Sequence, residues 1–398
     1  MEKIDEIIKN QSVKSEDIEY IKSLLEYLNK CSDYEKLSYI TSELLKFFPQ
    51  KYVKEYNIVL NEYEIAEKKT VLKSYPRYIR VMPTSLCDLD CIMCHKDKPF
   101  NISENTKNEV FKLMPYLEKI IWMGGEVFIY KGFEEMLDVG YSNNLFQEIT
   151  TNAQNISESM AEKLVRYNVN MIISVDSADA KIYEYIRRNG SFKKLCDNLS
   201  FIKKYRDMYK SKNPLALNVV VMKSTYRGLP EILKFAASYG FNEICLILGS
   251  ASVPKEEDFL EGVNRLLIPD LKKIVDGLIV NKEGINIRNL IPFDIMGVDK
   301  KEENNIHIHD EKQNAVTKEK GKFFCRVPWK YMFVSAKGIF PECYCDPGQA
   351  VGDAEKDSLF EVWNGEKMQK YRKNLINDDR SICAERCYSG FLADYKKL

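Results

Sequence analysis

The chain has 398 residues, 45% apolar and 30% charged, with 59 basic and 59 acidic side chains and a formal net charge of zero. This length accommodates two or three domains with a sizeable core, and the charge balance lacks the bias that nucleic acid or an anionic membrane selects. No apolar run reaches the ~18 residues of a membrane-crossing helix, and the start MEKIDEIIKNQ has acidic residues and no apolar h-region, so a soluble, cytoplasmic protein without a secretory signal is expected.

Residues 1–75 read as a helical N-terminal extension. SEDIEYIKSLLEYLNK opens with Ser15 as an N-cap candidate and repeats apolar residues at intervals of three and four; DYEKLSYITSELLKFF repeats the pattern and stops at Pro49. From 76 to 298, strand and helix signals alternate. The strand candidates are Tyr78–Met82, Lys119–Met123, Phe146–Thr151, Asn170–Val175, Ala216–Val221 and Glu243–Leu248. Amphipathic stretches such as Glu104–Leu117, Ile156–Tyr167 and Leu229–Tyr239 separate them. Six such units predict an α/β core: a parallel sheet with helices outside it, curled into a partial (β/α)6 TIM-like barrel. Residues 299–322 are charged and aperiodic, a linker in which His307 and His309 are expected to face solvent. Residues 323–398 form a small cysteine-rich domain.

Eleven cysteines in such a chain point to metal or redox chemistry rather than to disulfides. Three lie at 87–94 and five at 325–387, which leaves Cys31, Cys196 and Cys245 isolated. SLCDLDCIMCHK places Cys87, Cys91 and Cys94 in a C-x3-C-x2-C run after the first strand candidate. Three thiolates this close can hold a cubane iron–sulfur cluster, which normally takes four ligands, so one iron is left open. Zinc is the alternative occupant. Against it, the C-x2-C pair is not repeated, and His95 adjoins Cys94, where adjacent residues rarely reach one metal. Barrel active sites lie at the C-terminal ends of strands. Cys87 follows the first strand candidate, Gly124 the second and Asn152 the third, while Asp176 ends the fourth.

The cysteine spacing resembles that of the radical S-adenosylmethionine (SAM) superfamily. The resemblance implies that the open iron chelates the amino and carboxylate groups of SAM. An electron from the [4Fe–4S] cluster then cleaves the sulfonium to methionine and a 5′-deoxyadenosyl radical. IWMGGEVF resembles the family's GGE motif: Gly124 and Gly125 let the backbone approach a ligand closely, and Glu126 would hold the SAM amino group. EITTNAQNI resembles the TNG pattern, with Thr151 and Asn152 kept and Ala153 in place of glycine. IISVDSAD resembles the SIDG pattern, which implies that Ser174 and Asp176 face the ribose or methionine end. Asp176 is equally placed to cap the following helix. In YEYIRRNG, Arg187 or Arg188 would pair with the SAM carboxylate through a bidentate fork. Met93 would pack on adenine, and Asn218 joins the site if strand alternation turns it inward.

In the tail, Cys325 is followed by twelve residues, Gly338, four residues and Cys343. This resembles the first half of the SPASM pattern of relatives with auxiliary clusters, as does LFEVWNG; the second half keeps only Cys383 and Cys387. Cys325, Cys343, Cys383 and Cys387 suffice for one fully ligated auxiliary [4Fe–4S] cluster, the shortened twitch arrangement, with an all-thiolate zinc site as the alternative. Cys345 is a spare: it replaces Cys343 as ligand, or it is a free catalytic thiol near the substrate. The resemblance covers residues 78–398. It implies an enzyme that oxidises, crosslinks or epimerises a residue of a ribosomally made peptide. Alternatives are the same chemistry on a small molecule such as an amino sugar, or a non-enzymatic electron carrier. For epimerisation, Cys345, Cys196 and Cys245 are the available hydrogen donors, the last two expected to be packed. A flavodoxin- or ferredoxin-type electron donor is the implied partner.

Overall fold

The computed structural model of the chain describes residues 2–95, 98–249, 253–282, 284–293, 296, 325–341, 350–377 and 379. The described part of the N-terminal segment holds four helices and no strand: α1 (Glu2–Asn10), α2 (Ile18–Lys30), α3 (Tyr34–Leu45) and α4 (Val53–Ala66). Their apolar stripes meet in a core of their own that includes Ile4, Ile21, Leu25, Leu37, Ile40, Leu44 and Ile58. Ser15 does not cap α2. Ser15–Asp17 is a single 3-10 turn, because the longer carboxylate of Asp17 reaches back to accept from Lys14 N at 3.1 Å.

The next elements alternate. In chain order they are β1 (Tyr78–Met82), β2 (Asp90–Cys91), α5 (Glu104–Leu113), β3 (Lys119–Trp122), α6 (Phe133–Ser142), β4 (Phe146–Thr151), α7 (Glu158–Arg166), β5 (Asn170–Ser174), α8 (Ala180–Ile186), β6 (Arg187–Arg188), α9 (Phe192–Tyr209), β7 (Leu215–Val221), α10 (Leu229–Tyr239), β8 (Glu243–Leu248), α11 (Ile268–Val280) and β9 (Asn286–Asn289). The C-terminal part adds α12 (Val327–Lys330), β10 (Tyr331–Ser335), β11 (Gly338–Phe340), α13 (Leu359–Trp363) and α14 (Glu366–Ile376).

One sheet in the order β11-β10-β1-β3-β4-β5-β7-β8-β9 carries the fold. Every pairing in it is parallel except the β10–β11 hairpin. The described strands form an open sheet, so the barrel is partial. Strands β9, β10 and β11 were not read from the sequence. β9 is short and polar, NIRN, and the hairpin lies among cysteines that dominate the local pattern. Residues of one strand parity, such as Ile79, Val81, Ile120, Trp122, Ile149, Met171, Ile173, Leu217 and Val219, are buried under the helices. The other parity, with Arg80, Glu148, Ser174, Asn218, Glu243 and Arg288, lines the concave face.

A buried polar network joins the N-terminal helices to the C-terminal segment. Glu62 on α4 accepts from Arg77, from Lys330 at 2.9 Å and from Asn29 at 2.7 Å, while Asn29 in turn accepts from Arg326. Asn61 donates to Trp329 O at 2.7 Å, and Arg372 spans Pro328 O, Thr70 O and Trp363 O. Burial alone pushes the Glu62 carboxyl up, but Lys330 and Arg77 outweigh it and hold it at about 2. A depressed carboxyl stabilises the fold above its unfolded pKa, and this contribution fades as pH falls from about 4.5 toward 2. Glu62→Ala leaves two buried cations without their carboxylate and is expected to destabilise by about 3–5 kcal/mol in denaturant unfolding at pH 7. The difference from wild type should shrink as the pH is lowered through that window.

Candidate active site

The loop after β1 carries Cys87, Cys91 and Cys94, and two neighbouring loops hold it in place. Gly125 N donates to Thr84 O at 3.0 Å and Glu126 N donates to Leu86 O at 2.7 Å, so the loop after β3 runs along the cysteine loop backbone to backbone. A Cβ at Gly124 would meet Thr84 O at 2.3 Å, and Gly124 has φ +149°, a region L-residues rarely adopt. A Cβ at Gly125 would meet Leu86 O at 2.0 Å. The glycine pair therefore permits close approach, and what it approaches here is the cysteine loop itself.

Glu126 is fully buried. Its carboxylate accepts from Thr151 Oγ1 at 2.8 Å, Asn152 N at 2.9 Å and Phe128 N at 3.3 Å. Burial pushes its carboxyl up to about 7 against those donors, so an ammonium group brought beside it would stabilise its ionised form. Asn152 Nδ2 donates to Asp88 Oδ1 at 2.9 Å and lies 3.7 Å from Cys87 Sγ. Asn155 Nδ2 donates to Asp88 Oδ2 at 2.8 Å. Asp88 and Asn155 were not singled out in the sequence; the concentration of amides in TNAQN is the signal that could have marked the segment. Ala153, where the TNG pattern has glycine, has φ +58° and is buried. Its backbone keeps the left-handed turn, at a cost of roughly 1–2 kcal/mol.

Cys91 lies on β2, which pairs antiparallel with β6, so Cys91 faces Arg187 and Asp90 faces Arg188. Arg187 is buried, with Nε 2.8 Å from Asp176 Oδ2 and Nη1 3.9 Å from Cys91 Sγ. Arg188 is exposed. Asp176 accepts from Val220 N at 2.9 Å and does not cap α8; the cap is Asp179, which accepts from Ile182 N at 3.0 Å. Ser174 pairs in register with Asn218, and both are half-buried on the concave face. Met93 packs with Ile186, Met222 and Val253, an apolar patch near the strand ends.

These residues suit a cubane. The three cysteines share one short loop, Cys87 and Cys94 are exposed, and amide and guanidinium donors approach two of the sulfurs. Burial pushes the free Cys91 thiol up to about 11, while Arg187 opposes that; a thiol that coordinates metal is deprotonated outright. Among the described residues no three His, Cys, Asp or Glu side chains are grouped to hold a single metal ion. In a cubane each thiolate takes a different iron, so the ligands stand apart.

Cys325 is buried in the barrel's hydrophobic core just before α12 and β10. Because β10 enters beside Tyr78, Cys325 lies toward the end of β1 opposite Cys87. A five-residue strand spans about 17 Å. Cys343, Cys345, Cys383 and Cys387 lie outside the described residues, as do His307 and His309. Cys196 is on α9 in the outer helix layer, bonded to Tyr239 of α10. Cys245 is buried as expected, but its strand parity is that of the concave face, where its thiol bonds to Arg288.

Gly125→Ala drives a methyl group into the backbone of the cysteine loop. The variant is expected to lose the cluster of that loop and keep the auxiliary one, so that reconstituted iron falls from about eight to about four per chain, read by iron analysis.

Residues 81–236 match the radical SAM superfamily, and residues 325–388 match an iron–sulfur cluster-binding domain, SPASM. An uncharacterized protein of Methanocaldococcus jannaschii is 28% identical over 231 residues, 54% of this chain and 74% of that protein. A probable GTP 3′,8-cyclase of the same organism is 25% identical over 173 residues, 41% of this chain and 56% of that protein. In fold, the chain is similar to Streptococcus suis SuiB bound to the precursor peptide SuiA, with a TM-score of 0.56 at 18% identity over 86% of this chain and 80% of that one. It is also similar to anSMEcpe with bound AdoMet and a peptide, with a TM-score of 0.51 at 18% identity over 76% of this chain and 83% of that one. The two matched domains imply a SAM-ligating [4Fe–4S] cluster and an auxiliary [4Fe–4S] cluster. The chain carries a radical SAM domain over residues 81–236 and a C-terminal SPASM-type iron–sulfur domain over residues 325–388.

Proposed function

We propose that this enzyme oxidises, crosslinks or epimerises a residue in a ribosomally made peptide, with the cluster on Cys87, Cys91 and Cys94 generating the radical. The observation that carries this is the cysteine loop itself. Glycines bring it against the Gly124–Glu126 loop, Asp88, Asn152 and Arg187 hold it, and it sits at the C-terminal strand ends of the partial barrel. Held by Cys87, Cys91 and Cys94, a [4Fe–4S] cluster with SAM would supply the hydrogen-abstracting 5′-deoxyadenosyl radical.

The chain's own residues bind and aim. Glu126 stands ready, with Thr151 and Asn152, to take an ammonium group. Ser174 and Asn218 face the concave side beside Asp176, and the apolar patch around Met93 suits a flat base. Arg188, exposed where Arg187 is committed, is the residue left to meet the carboxylate of SAM. The substrate lies on the polar concave face, between the Cys87 loop and the Cys325 end. A peptide substrate is supported by the likeness to SuiB in complex with its precursor peptide, which runs through most of the chain. Cys343, Cys383 and Cys387 complete the auxiliary site with Cys325, Cys345 is the candidate catalytic thiol, and a cytoplasmic flavodoxin- or ferredoxin-type protein supplies the electron.

Small-molecule chemistry is the second reading. It is favoured by the 25% identity to the probable GTP 3′,8-cyclase. Incubation of the reconstituted protein with dithionite and SAM is expected to release 5′-deoxyadenosine, with release lost in Cys91→Ala. Intact SAM alongside a reducible cluster would contradict the assignment. Mass spectrometry of a co-expressed candidate peptide separates the two substrate classes: a loss of two mass units marks oxidation or crosslinking, and incorporation of solvent deuterium marks epimerisation.

A further inference from the structure

We infer that Arg187 is a positioning residue for the cluster loop: it donates to the Cys91 sulfur and raises the reduction potential of the cluster held by Cys87, Cys91 and Cys94. This rests on the proposed role of those three cysteines and assigns Arg187 to the sulfur rather than to SAM.

A backbone pairing and two side-chain contacts fix the guanidinium. The β2–β6 pairing sets Arg187 directly opposite Cys91, and Ile92 N donates to Ile186 O at 2.9 Å beside it. Nε lies 2.8 Å from Asp176 Oδ2, and Asp176 is itself held by Val220 N at 2.9 Å. Nε meets Asp176 Oδ2 as an ion-pair contact rather than an aligned hydrogen bond, while Nη1 donates to Cys91 Sγ at 3.9 Å, a long contact in keeping with the size and softness of sulfur. Arg187 is 6% exposed and Asp176 0% exposed, so neither group is solvated enough to be screened. The charged atom in contact with the sulfur is Nη1 of the guanidinium, and Asp176 meets the same group at Nε.

One-electron reduction adds a negative charge to the cluster. Hydrogen bonds to the ligand sulfurs and nearby charge set the potentials of such clusters, and an arginine stays protonated when buried. A fixed donor at Cys91 thus favours the reduced state. Asn152, 3.7 Å from Cys87 Sγ, acts in the same direction without a charge. Lys193, exposed at the start of α9 and paired with Asp197, serves as the control.

The test is an EPR-monitored redox titration of the reconstituted full chain, in which the three-cysteine cluster is recognised as the signal that changes when SAM is added. Arg187→Met is expected to lower the midpoint of that signal by the equivalent of roughly tenfold in the reduction equilibrium, about 59 mV for one electron. The auxiliary signal and the Lys193→Met variant should stay at their wild-type values. Arg187→Lys keeps the charge but not the fork, so its midpoint should fall between wild type and Arg187→Met; it gives the answer if the methionine variant fails to assemble a cluster. Unchanged midpoints in both variants would overturn the role of Arg187 and leave the cluster assignment standing. A wild-type protein with iron but no SAM-sensitive signal would overturn both.

Discussion

The backbone seam between residues 84–86 and 124–126 is the constraint on which the site depends. Two loops from adjacent parallel strands approach so closely that neither Gly124 nor Gly125 has room for a side chain. Glu126 then folds under the seam and accepts from Thr151 and Asn152 at the end of β4 and from Phe128 N in its own turn, which makes it a buried fastener as well as a candidate ligand for an ammonium group. The cysteine loop is thereby attached to β3 and β4 through Glu126 and Asp88, and to β6 through Cys91.

The same logic extends to the other end of the barrel. The hairpin β10–β11 continues the sheet past β1, and its entry segment is tied to the N-terminal helices by Glu62, Arg77, Lys330, Asn29 and Arg326. Buried charges of this kind specify geometry more than they add stability. The helices of residues 2–66, whatever else they do, fix the position of the segment that follows Cys325.

Much of this was legible in the sequence, for identifiable reasons. Strands such as Tyr78–Met82 and Glu243–Leu248 were found at their observed limits, the first because buried Ile79 and Val81 alternate with half-buried residues, the second because it is a short apolar run that ends at Gly249. The motifs fell at strand ends because barrel chemistry is built there. Other features depend on contacts between distant residues. Asp176 resembled a helix cap in local sequence, but Val220 and Arg187, both remote, claim it and leave the cap to Asp179. The choice between Arg187 and Arg188 turns on a two-residue strand pairing that no periodicity reveals. Ser15 falls inside a 3-10 turn that Asp17 closes by accepting from Lys14 N, and α2 starts after Asp17.

The central claim is that the three-cysteine loop leaves one iron open for SAM. The most direct measurement is ENDOR spectroscopy of the reduced protein with SAM labelled at its amino nitrogen and carboxylate oxygens. Hyperfine coupling of both labels to the cluster is the predicted result. A reduced cluster that shows no coupling to either label would contradict the account.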